Sequence, residues 1–233
     1  MKTVSLLIAM LVLTACSSKG FNKEHLRREL QAGERRQVVV TDEEIKKVFD
    51  LKPQLPKPFK VGVYFVDNNH SNWDLRWNSE DKQSIIKLEE ELKKTGEVSK
   101  VFLINESVVG GQDLKSIRLA AAHHGADALL MISSTSATDQ YVNAASLSYI
   151  LLLPALFIPG TVTDALFITR AALWDVRNEY LYMAVESESF KRKKAPPIQS
   201  NVNEELLKAK RDSMNGLRAE ILRMASEMQI KTK

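Results

Sequence analysis

The segment 126–133, Ala-Asp-Ala-Leu-Leu-Met-Ile-Ser, constrains the fold of this chain more than any other part of the sequence. Its apolar residues follow one another without the alternation of a half-exposed strand, which is typical of a strand that helices cover on both faces. Two segments rich in β-branched and aromatic residues, 60–66 and 98–104, precede it and are also predicted strands. With helical segments between the three, this order predicts an α/β fold in which helices pack on a mixed sheet.

Two helices are predicted between these strands. Ser79 is expected to cap the first, which ends at Gly96, and Asp113 is expected to cap the second, which closes at His124-Gly125. Ile85, Ile86, Leu88 and Leu92 fall mostly on one side of the first helix, and the second contains Leu114, Ile117 and Leu119.

The second half of the chain predicts further strands and a long helix. Segments 141–157 and 161–176 have the composition of two long strands, and the turn Arg177-Asn178-Glu179 leads to a third at 180–188. Asn201 or Asn203 is expected to cap a final helix that runs to about Met228. The predicted fold is therefore α/β, with a mixed sheet, helices packed on it and a C-terminal helix.

A short helix and a proline-rich connector precede the first strand. Thr41-Asp42-Glu43-Glu44 is a capping box, which predicts a helix that runs through Phe49. Pro53, Pro56 and Pro58 predict a stiff, extended connector. The expected organisation is a signal peptide at 1–15, a tether with the short helix at 16–58, an α/β domain at 59–190, and a basic linker with the C-terminal helix at 191–233.

The amino terminus has the three parts of a secretory signal. Lys2 supplies a positive charge, residues 6–13 are wholly apolar, and Leu13-Thr14-Ala15-Cys16 places small residues before a cysteine. The apolar stretch is too short for a transmembrane helix, so a signal peptide is predicted. Cys16 is the only cysteine, and in an oxidising compartment a lone thiol is expected to be paired, reactive or blocked. The alternatives are an ordinary signal peptide with a chance cysteine and a buried amino-terminal helix.

Leu13-Thr14-Ala15-Cys16 resembles the lipobox of bacterial lipoproteins. The resemblance implies that a diacylglyceryl group is attached to the thiol of Cys16, that the chain is cleaved before this residue, and that the new amine is acylated, for example with palmitate. Acyl chains would hold the protein on a membrane. The residue after the cysteine is Ser17 and not aspartate, which implies sorting to the outer membrane with the domain facing the periplasm.

Two later segments carry a second resemblance. Residues 119–130, Leu-Ala-Ala-Ala-His-His-Gly-Ala-Asp-Ala-Leu-Leu, and 174–182, Trp-Asp-Val-Arg-Asn-Glu-Tyr-Leu-Tyr, resemble a helix-to-strand step and a hairpin of periplasmic α/β lipoproteins. These are relatives of the amino-terminal domain of TolB and of the curli-secretion lipoprotein CsgG. Together with the lipobox, the combination is most similar to the rhombotarget-type lipoprotein family. The resemblance implies a location and a fold, but no activity.

Residues 147–168 are unusually apolar. Pro154 and Pro159 argue against a membrane-spanning helix. One interpretation is a hairpin whose tip contacts the bilayer or a partner; the other is a pair of core strands packed under the last helix. A pore is not favoured, because the polar and apolar alternation of a barrel is missing. The residues expected to make the contact are Leu153, Leu156, Phe157 and Ile158.

Residues that could carry chemistry are few. His123 and His124 are adjacent on a helix and cannot easily share a metal ion, so His124 is interpreted as a cation at the helix C-terminus. His70, near Asp67 and Asp74, is interpreted as part of a polar loop. The sequence therefore predicts no metal site and no cofactor.

Four other segments have a structural and a functional interpretation. Trp73 and Trp77 are expected to pack over a strand edge, with a stacking platform as the alternative. Gly110-Gly111 lacks the context of a phosphate loop, and 133–136 lacks the glycines of a hydrolase elbow. The basic run 191–194 is interpreted as a solvated linker, with contact to anionic headgroups as the alternative.

The predicted function follows from location more than from chemistry. A net charge of +4 over 233 residues does not indicate nucleic-acid binding. No nucleophile–base pair or cofactor loop can be assembled, so we expect a non-enzymatic cell-envelope lipoprotein that interacts with an envelope protein partner or supports an assembly. The alternative is an enzyme, or an accessory to one, that acts on an envelope substrate. The partner and the oligomeric state stay open.

Overall fold

The computed structural model describes residues 40–66, 73–142 and 159–230. Its sheet has five strands: β1 (Phe59–Phe65), β2 (Val98–Leu103), β3 (Ala128–Val142), β4 (Thr161–Asp175) and β5 (Leu181–Ala195). The strand order is β2-β1-β3-β4-β5, and β1 pairs in parallel with both β2 and β3. The mixed sheet and the predicted α/β fold are confirmed.

Five α-helices belong to the described residues. They are α1 (Asp42–Phe49), α2 (Ser79–Ile86), α3 (Leu88–Lys94), α4 (Leu114–His123) and α5 (Val202–Ile230). The predicted C-terminal helix is therefore confirmed. The first predicted helix after β1 is divided at Lys87, which is the C-terminal cap of α2 and the N-terminal cap of α3.

The chain forms two compact units. The larger unit consists of Arg36–Ser136, Phe167–Ser189 and Ala209–Lys233, and the described part of the smaller unit is 137–142, 159–166 and 190–208. Each of β3, β4, β5 and α5 contributes residues to both units.

The main core of the larger unit lies on one face of its strands. Ile85 of α2, Leu88 of α3 and Leu217 of α5 are buried against this face. Burial of each such side chain contributes about 1.5–3 kcal/mol to stability. The core residues of β1 alternate along the strand. The strand residues of this core are Phe59, Val61, Val63, Phe65, Val98, Val101, Ala128, Leu130, Ile132, Ala171, Leu173 and Met183.

Helix α5 packs very closely on β5 in the larger unit. A Cβ atom on Gly216 would lie 2.2 Å from Oγ of Ser187, so a larger residue here would force the Ser187 side chain to move. One turn earlier, Ser213 donates a hydrogen bond to the carbonyl oxygen of Ser187 over 2.8 Å. Oγ of Ser213 also lies 2.8 Å from Oγ1 of Thr169. Small polar residues therefore let the helix backbone approach the sheet without leaving unpaired hydroxyls.

Helix α4 covers the opposite face of the larger unit. Ile117, Ala120 and Ala121 are buried there with Tyr64 and Leu129. The alanines bring the helix close to the strands, which explains the small residues of segment 119–130. Leu119, by contrast, is 60% exposed. At 100° per residue, position 119 points away from positions 117, 120 and 121.

The predicted N-cap residues cap their helices, with one exception. Both capping-box hydrogen bonds of Thr41 and Glu44 are present at α1. Oδ1 of Asp113 accepts from the amide of Ser116 over 3.0 Å, and Asn201, one of the two predicted residues, caps α5. The prediction that Ser79 caps α2 is wrong. Asn78 is the cap, because its side chain forms a reciprocal capping box with Asp81.

Two strands extend further than the sequence predicted. β3 continues to Val142, so Ser133–Ser136 and Tyr141 belong to it, and the rest of the predicted strand 141–157 lies outside the described residues. β5 continues to Ala195, so the interpretation of 191–194 as a solvated linker is wrong. These basic residues belong to the strand, and Arg192 forms an ion pair with Asp164 of β4.

Candidate functional site

The residues singled out by the sequence for membrane or partner contact are not among those described. Cys16, Leu153, Leu156, Phe157 and Ile158 all lie outside the described residues, and so do Asp67 and His70. The described chain resumes just after the predicted hairpin tip, and every residue from Thr161 to Thr169 is buried. The candidate site is therefore built from other residues, all of which lie in the larger unit.

The larger unit contains an apolar cleft of about 500 Å³. This volume lies in the range of ordinary ligand-binding sites. One wall is the main-core face of the sheet, one is the C-terminal part of α5, and one is the connector that precedes β1. The apolar cleft is lined mainly by Pro53, Leu55, Phe59, Val61, Leu92, Val98, Leu130, Leu173, Met183, Ile221, Met224 and Ala225.

Hydrogen bonds hold the connector wall of the apolar cleft in place. The hydroxyl of Tyr182 accepts from the amides of Gln54 and Leu55 over 2.9 and 3.1 Å and donates to Oδ2 of buried Asp175 over 3.0 Å. Asn178 donates to the carbonyl oxygen of Lys52 over 2.6 Å. Burial raises the pKa of Tyr182 above its usual value, and the hydrogen bond to Asp175 adds to this rise. The connector is thus a fixed wall attached to the β4–β5 hairpin.

Charged groups on the rim of the apolar cleft already have partners. Nζ of Lys57 lies 2.7 Å from Oε2 of Glu97, and Glu227 pairs with Arg223 of the same helix. A polar ligand would have to break these pairs, whereas an apolar group would not. The cleft is therefore suited to binding apolar side chains or an apolar ligand.

A second apolar surface lies on α1. None of the residues of this helix is buried. Ile45, Val48 and Phe49 share one side of the helix, and Phe49 is 85% exposed. Exposed apolar residues grouped in this way are typical of interaction surfaces. The sequence predicted the helix correctly but did not show that its apolar side is uncovered.

A buried ion pair joins α5 to the start of α2. Lys210 is 3% exposed, and its ammonium nitrogen lies 2.6 Å from Oδ2 of Asp81 and donates to the carbonyl oxygen of Arg76 over 2.8 Å. The same nitrogen lies 5.7 Å from the ring centroid of Trp77. Sequence reasoning missed Lys210. The signal was its spacing from Met214, Leu217 and Ile221, which places it on the buried side of the helix.

Trp77 has a packing role, as predicted. Its indole nitrogen donates to the carbonyl oxygen of Val66 over 2.8 Å, and its ring meets that of Phe65 edge to face at 5.1 Å. The indole thereby covers the end of β1. The side chain of Trp73 is outside the described set.

The smaller unit has its own buried ion pair. Asp164 is fully buried, and Arg192 donates to its two oxygens, each over 2.7 Å. These hydrogen bonds raise the pKa of Arg192 above its usual value. Burial and then the negative charge of Asp164 raise the pKa of Tyr141, whose hydroxyl lies 3.5 Å from the carboxylate. An arginine that stays protonated cannot serve in proton transfer, so we interpret the pair as structural. In the sequence, the feature that could have indicated this pair is Asp164, an acidic residue within an otherwise apolar strand segment.

Histidine and metal chemistry are not supported by the described residues. His124 is the C-terminal cap of α4, as predicted, and its Nδ1 lies 2.8 Å from the carbonyl oxygen of Ala120. Within 40–66, 73–142 and 159–230, no three or more His, Cys, Asp and Glu side chains are grouped so that they could hold a metal ion.

Of the helices in the described part of the chain, none combines the length and the apolar character needed to cross a bilayer.

Comparisons with known proteins give distant structural similarities. No protein-family profile and no curated protein matches the sequence. A protein described as a homolog of the neuraminyllactose-binding hemagglutinin from Helicobacter pylori is 11% identical, with a TM-score of 0.43 over 78% of this chain and 91% of that one. Lipoprotein GNA1162 from Neisseria meningitidis is 14% identical, with a TM-score of 0.31 over 73% and 99%. A minor lipoprotein from Acinetobacter baumannii is 10% identical, with a TM-score of 0.36 over 75% and 96%. Values this low indicate neither a shared family nor a shared function.

Proposed function

We propose that this chain is a non-enzymatic lipoprotein of the bacterial cell envelope, held on the outer membrane through Cys16 and acting there as an interaction or assembly module. The observation that carries the proposal is the leader, in which Leu13-Thr14-Ala15 precedes the only cysteine of the chain. A blocked thiol at this position leaves the folded domain without any free cysteine in an oxidising compartment.

The character of the described residues supports an interaction role. Buried Lys210 pairs with Asp81, buried Asp164 pairs with Arg192, and buried Asp175 accepts hydrogen bonds from the hydroxyl of Tyr182 and the amide of Arg177. Each of these charged groups thus has a structural partner. The uncovered features are apolar: the apolar cleft and the exposed side of α1. Surfaces of this kind bind partners through burial of apolar area.

The resemblance to rhombotarget-type lipoproteins, with an α/β domain like those of TolB and CsgG, is part of this proposal. A contact between the two segments that carry the resemblance supports it: Nη2 of Arg177 donates to Oδ1 of Asp127 over 2.6 Å. The helix-to-strand step and the hairpin are therefore one structural feature, as a common motif requires.

The anchor is tested by labelling cells that express the chain with an alkyne analogue of palmitate. We expect wild type to carry the label, to begin at residue 16 and to sediment with outer membranes. Cys16→Ser should lose the label. Ser17→Ala is the matched control and should keep it, because serine 17 is not acylated in this scheme. An unlabelled wild-type chain that retains residues 1–15 would refute the anchor.

The predicted contact at Leu153, Leu156, Phe157 and Ile158 is also part of the proposal. Deletion of 154–161 should reduce either cross-linking to an envelope partner or retention on membranes when the anchor is absent. Partner capture from cross-linked envelopes, followed by mass spectrometry, measures the first effect, and flotation of the Cys16→Ser chain with vesicles measures the second. If neither changes, the contact interpretation of the hairpin is wrong.

A further inference from the structure

Exposed apolar side chains lie at one end of the smaller unit, where β3 and β5 end and β4 begins. Val142, the last residue of β3, is 54% exposed, and Ile198, in the turn between β5 and α5, is 73% exposed. Hydrogen bonds bring their segments together. Gln140 donates to Oγ of Ser200 over 2.6 Å, and the same oxygen lies 2.8 Å from Oγ1 of Thr163. Val142 and Ile198 therefore lie at the same end of the sheet.

The chain between β3 and β4 leaves and returns at this end. The described residues stop at Val142 and resume at Pro159. In sequence, residues 143–158 contain no charged side chain, and residues 150–158 contain no polar one. Chain connectivity thus ties the most apolar stretch that follows the leader to the end of the sheet that carries Val142 and Ile198. This end is therefore more apolar than its two exposed side chains alone would make it.

Basic side chains lie at the same end, on the last residues of β5. Lys194 is exposed, and the side chain of Arg192 is 45% exposed although it pairs with Asp164. Because the side chain of Asp164 has no exposed surface, an approaching anion meets the guanidinium group and not the carboxylate. Arg192 and Lys194 are two positions apart and so point to the same side of the strand. Lys193 points to the other side and pairs with Glu204 of α5.

We propose that Val142, Arg192, Lys194 and Ile198 form a surface, here called the strand-end surface, that rests on an anionic lipid bilayer. Apolar side chains next to basic ones suit the boundary between headgroups and acyl chains, where the apolar groups insert and the cations meet phosphate groups. This inference rests on the proposed function and chooses between the two contacts left open there, the bilayer and a protein partner.

A second membrane contact has a consequence for the anchored protein. Acyl chains on Cys16 would hold the domain near the bilayer through a tether, which does not by itself fix an orientation. The strand-end surface would turn one end of the smaller unit towards the lipid. Membrane attachment that combines acylation with a second signal is also more stable than attachment through one signal alone.

Vesicle flotation tests the strand-end surface without the anchor. The processed chain, which begins at residue 16 and carries Cys16→Ser so that no lipid is attached, is mixed with vesicles of phosphatidylethanolamine and phosphatidylglycerol. We expect it to float with them. Ile198→Asp should lower the affinity for the vesicles by about fivefold or more, because it removes an inserting group and adds a negative charge. Val108→Asp, at an exposed valine of the larger unit, is the matched control and should float like wild type.

A second comparison tests the part played by charge. Lys194→Gln should lower the affinity for the same vesicles by about fivefold, the effect expected for one basic residue at an anionic surface. Lys115→Gln removes a positive charge from an exposed position of α4 and is the matched control. Vesicles of phosphatidylcholine alone should bind wild type more weakly than the anionic vesicles. All substituted residues are exposed, so the variants should fold, which circular dichroism checks.

Three results would overturn the proposal. The first is a processed chain that floats with neither kind of vesicle. The second is an equal loss of flotation in Ile198→Asp and Val108→Asp. The third is unchanged flotation in Ile198→Asp together with loss of a cross-linked envelope protein, which would assign the surface to a protein partner. Because every chain in these experiments lacks Cys16, none of the results bears on the anchor, and an unlabelled Cys16 in the palmitate experiment would leave them unchanged.

Discussion

The ammonium group of Lys210 lies 2.6 Å from the carboxylate of Asp81, and only 4% and 13% of the two side chains are exposed. Oδ2 of Asp81 also accepts from the amide of Asn78 over 2.9 Å. One carboxylate therefore completes the cap of α2 and neutralises a buried charge on α5. This contact joins the region after β1 to the C-terminal helix.

Lys210→Met should destabilise the protein strongly, although methionine fills nearly the same space. The substitution leaves the carboxylate of Asp81 buried without its cation, which costs about 3 kcal/mol. Urea unfolding followed by circular dichroism measures the change. Arg223→Met is the matched control: it removes exposed ion pairs on the same helix and should cost about 0.5 kcal/mol or less. Equal losses for the two variants would show that Lys210 is not buried with its charge paired.

The contact between Asp127 and Arg177 predicts a dependence of stability on pH. Burial by itself would raise the pKa of Asp127, but hydrogen bonds from Arg177 and from the amide of Lys60 outweigh it, so the pKa is below its usual value. A carboxylate with a lowered pKa in the folded state stabilises the fold above its unfolded-state pKa of about 4 and loses this contribution as the pH falls. Asp127→Asn should therefore cost about 1 kcal/mol at pH 7.

Unfolding of wild type and Asp127→Asn between pH 7 and pH 2.5 checks this prediction. The difference between their free energies of unfolding should shrink as the pH falls below about 4, because wild type then carries a protonated side chain at position 127. Asp74→Asn, at an exposed position, is the control for a general effect of removing one acidic group. A difference that stays constant with pH would contradict the assigned cause.

The same contact shows how far the sequence could be interpreted. The helix-to-strand step and the hairpin can each be predicted from the sequence, because each is a short continuous segment. It could not show that Asp127 and Arg177 touch, since this depends on how distant segments pack. The buried Lys210 and Asp164 were missed for the same reason. Their partners, Asp81 and Arg192, lie far away in the chain, and only the folded structure brings them together.

Where the sequence was misleading about a single residue or a short segment, the reason lies in the structure around that position. Serine and asparagine are both common N-cap residues. Asn78 caps α2 and Ser79 does not, because Asp81 lies three residues after Asn78 and completes a capping box with it. Leu119 is apolar but exposed, because its angular position on α4 turns it away from the strands. The basic run 191–194 has the composition of a solvated linker, but the strand continues through it and Arg192 pairs with Asp164.

Glu179 has a positive φ of 66°, a conformation that suits glycine better than other residues. Glu179→Ala and Glu179→Gly both remove the ion pair with Arg118, and they differ only in how well they tolerate this backbone angle. We expect the glycine variant to be about 1 kcal/mol more stable than the alanine variant. Parallel urea unfolding curves measure this difference. A more stable alanine variant would show that the turn does not keep a positive φ in solution.

Tyr182→Phe should loosen the connector wall of the apolar cleft. Loss of the hydroxyl leaves the amide of Leu55 without its acceptor and removes one of the two acceptors of Gln54, at a cost of about 1–2 kcal/mol. Amide hydrogen exchange at Leu55 should become faster. Tyr180→Phe, which leaves the Tyr182 hydroxyl in place, is the control and should change this rate less. Unchanged exchange in both variants would mean that other contacts fix the connector.

β5 is the last strand in the order of the described sheet, and its far end carries Lys191, Arg192, Lys193 and Lys194. An outermost strand offers main-chain groups on which another chain could add a strand. Lysine and arginine side chains along such an edge disfavour this pairing, although Arg192 and Lys193 here also pair with acidic groups. We therefore expect the basic end of β5 to make this edge less favourable for the addition of a second strand. For a protein that we propose to be crowded on a membrane surface, an edge of this kind disfavours open-ended fibre growth.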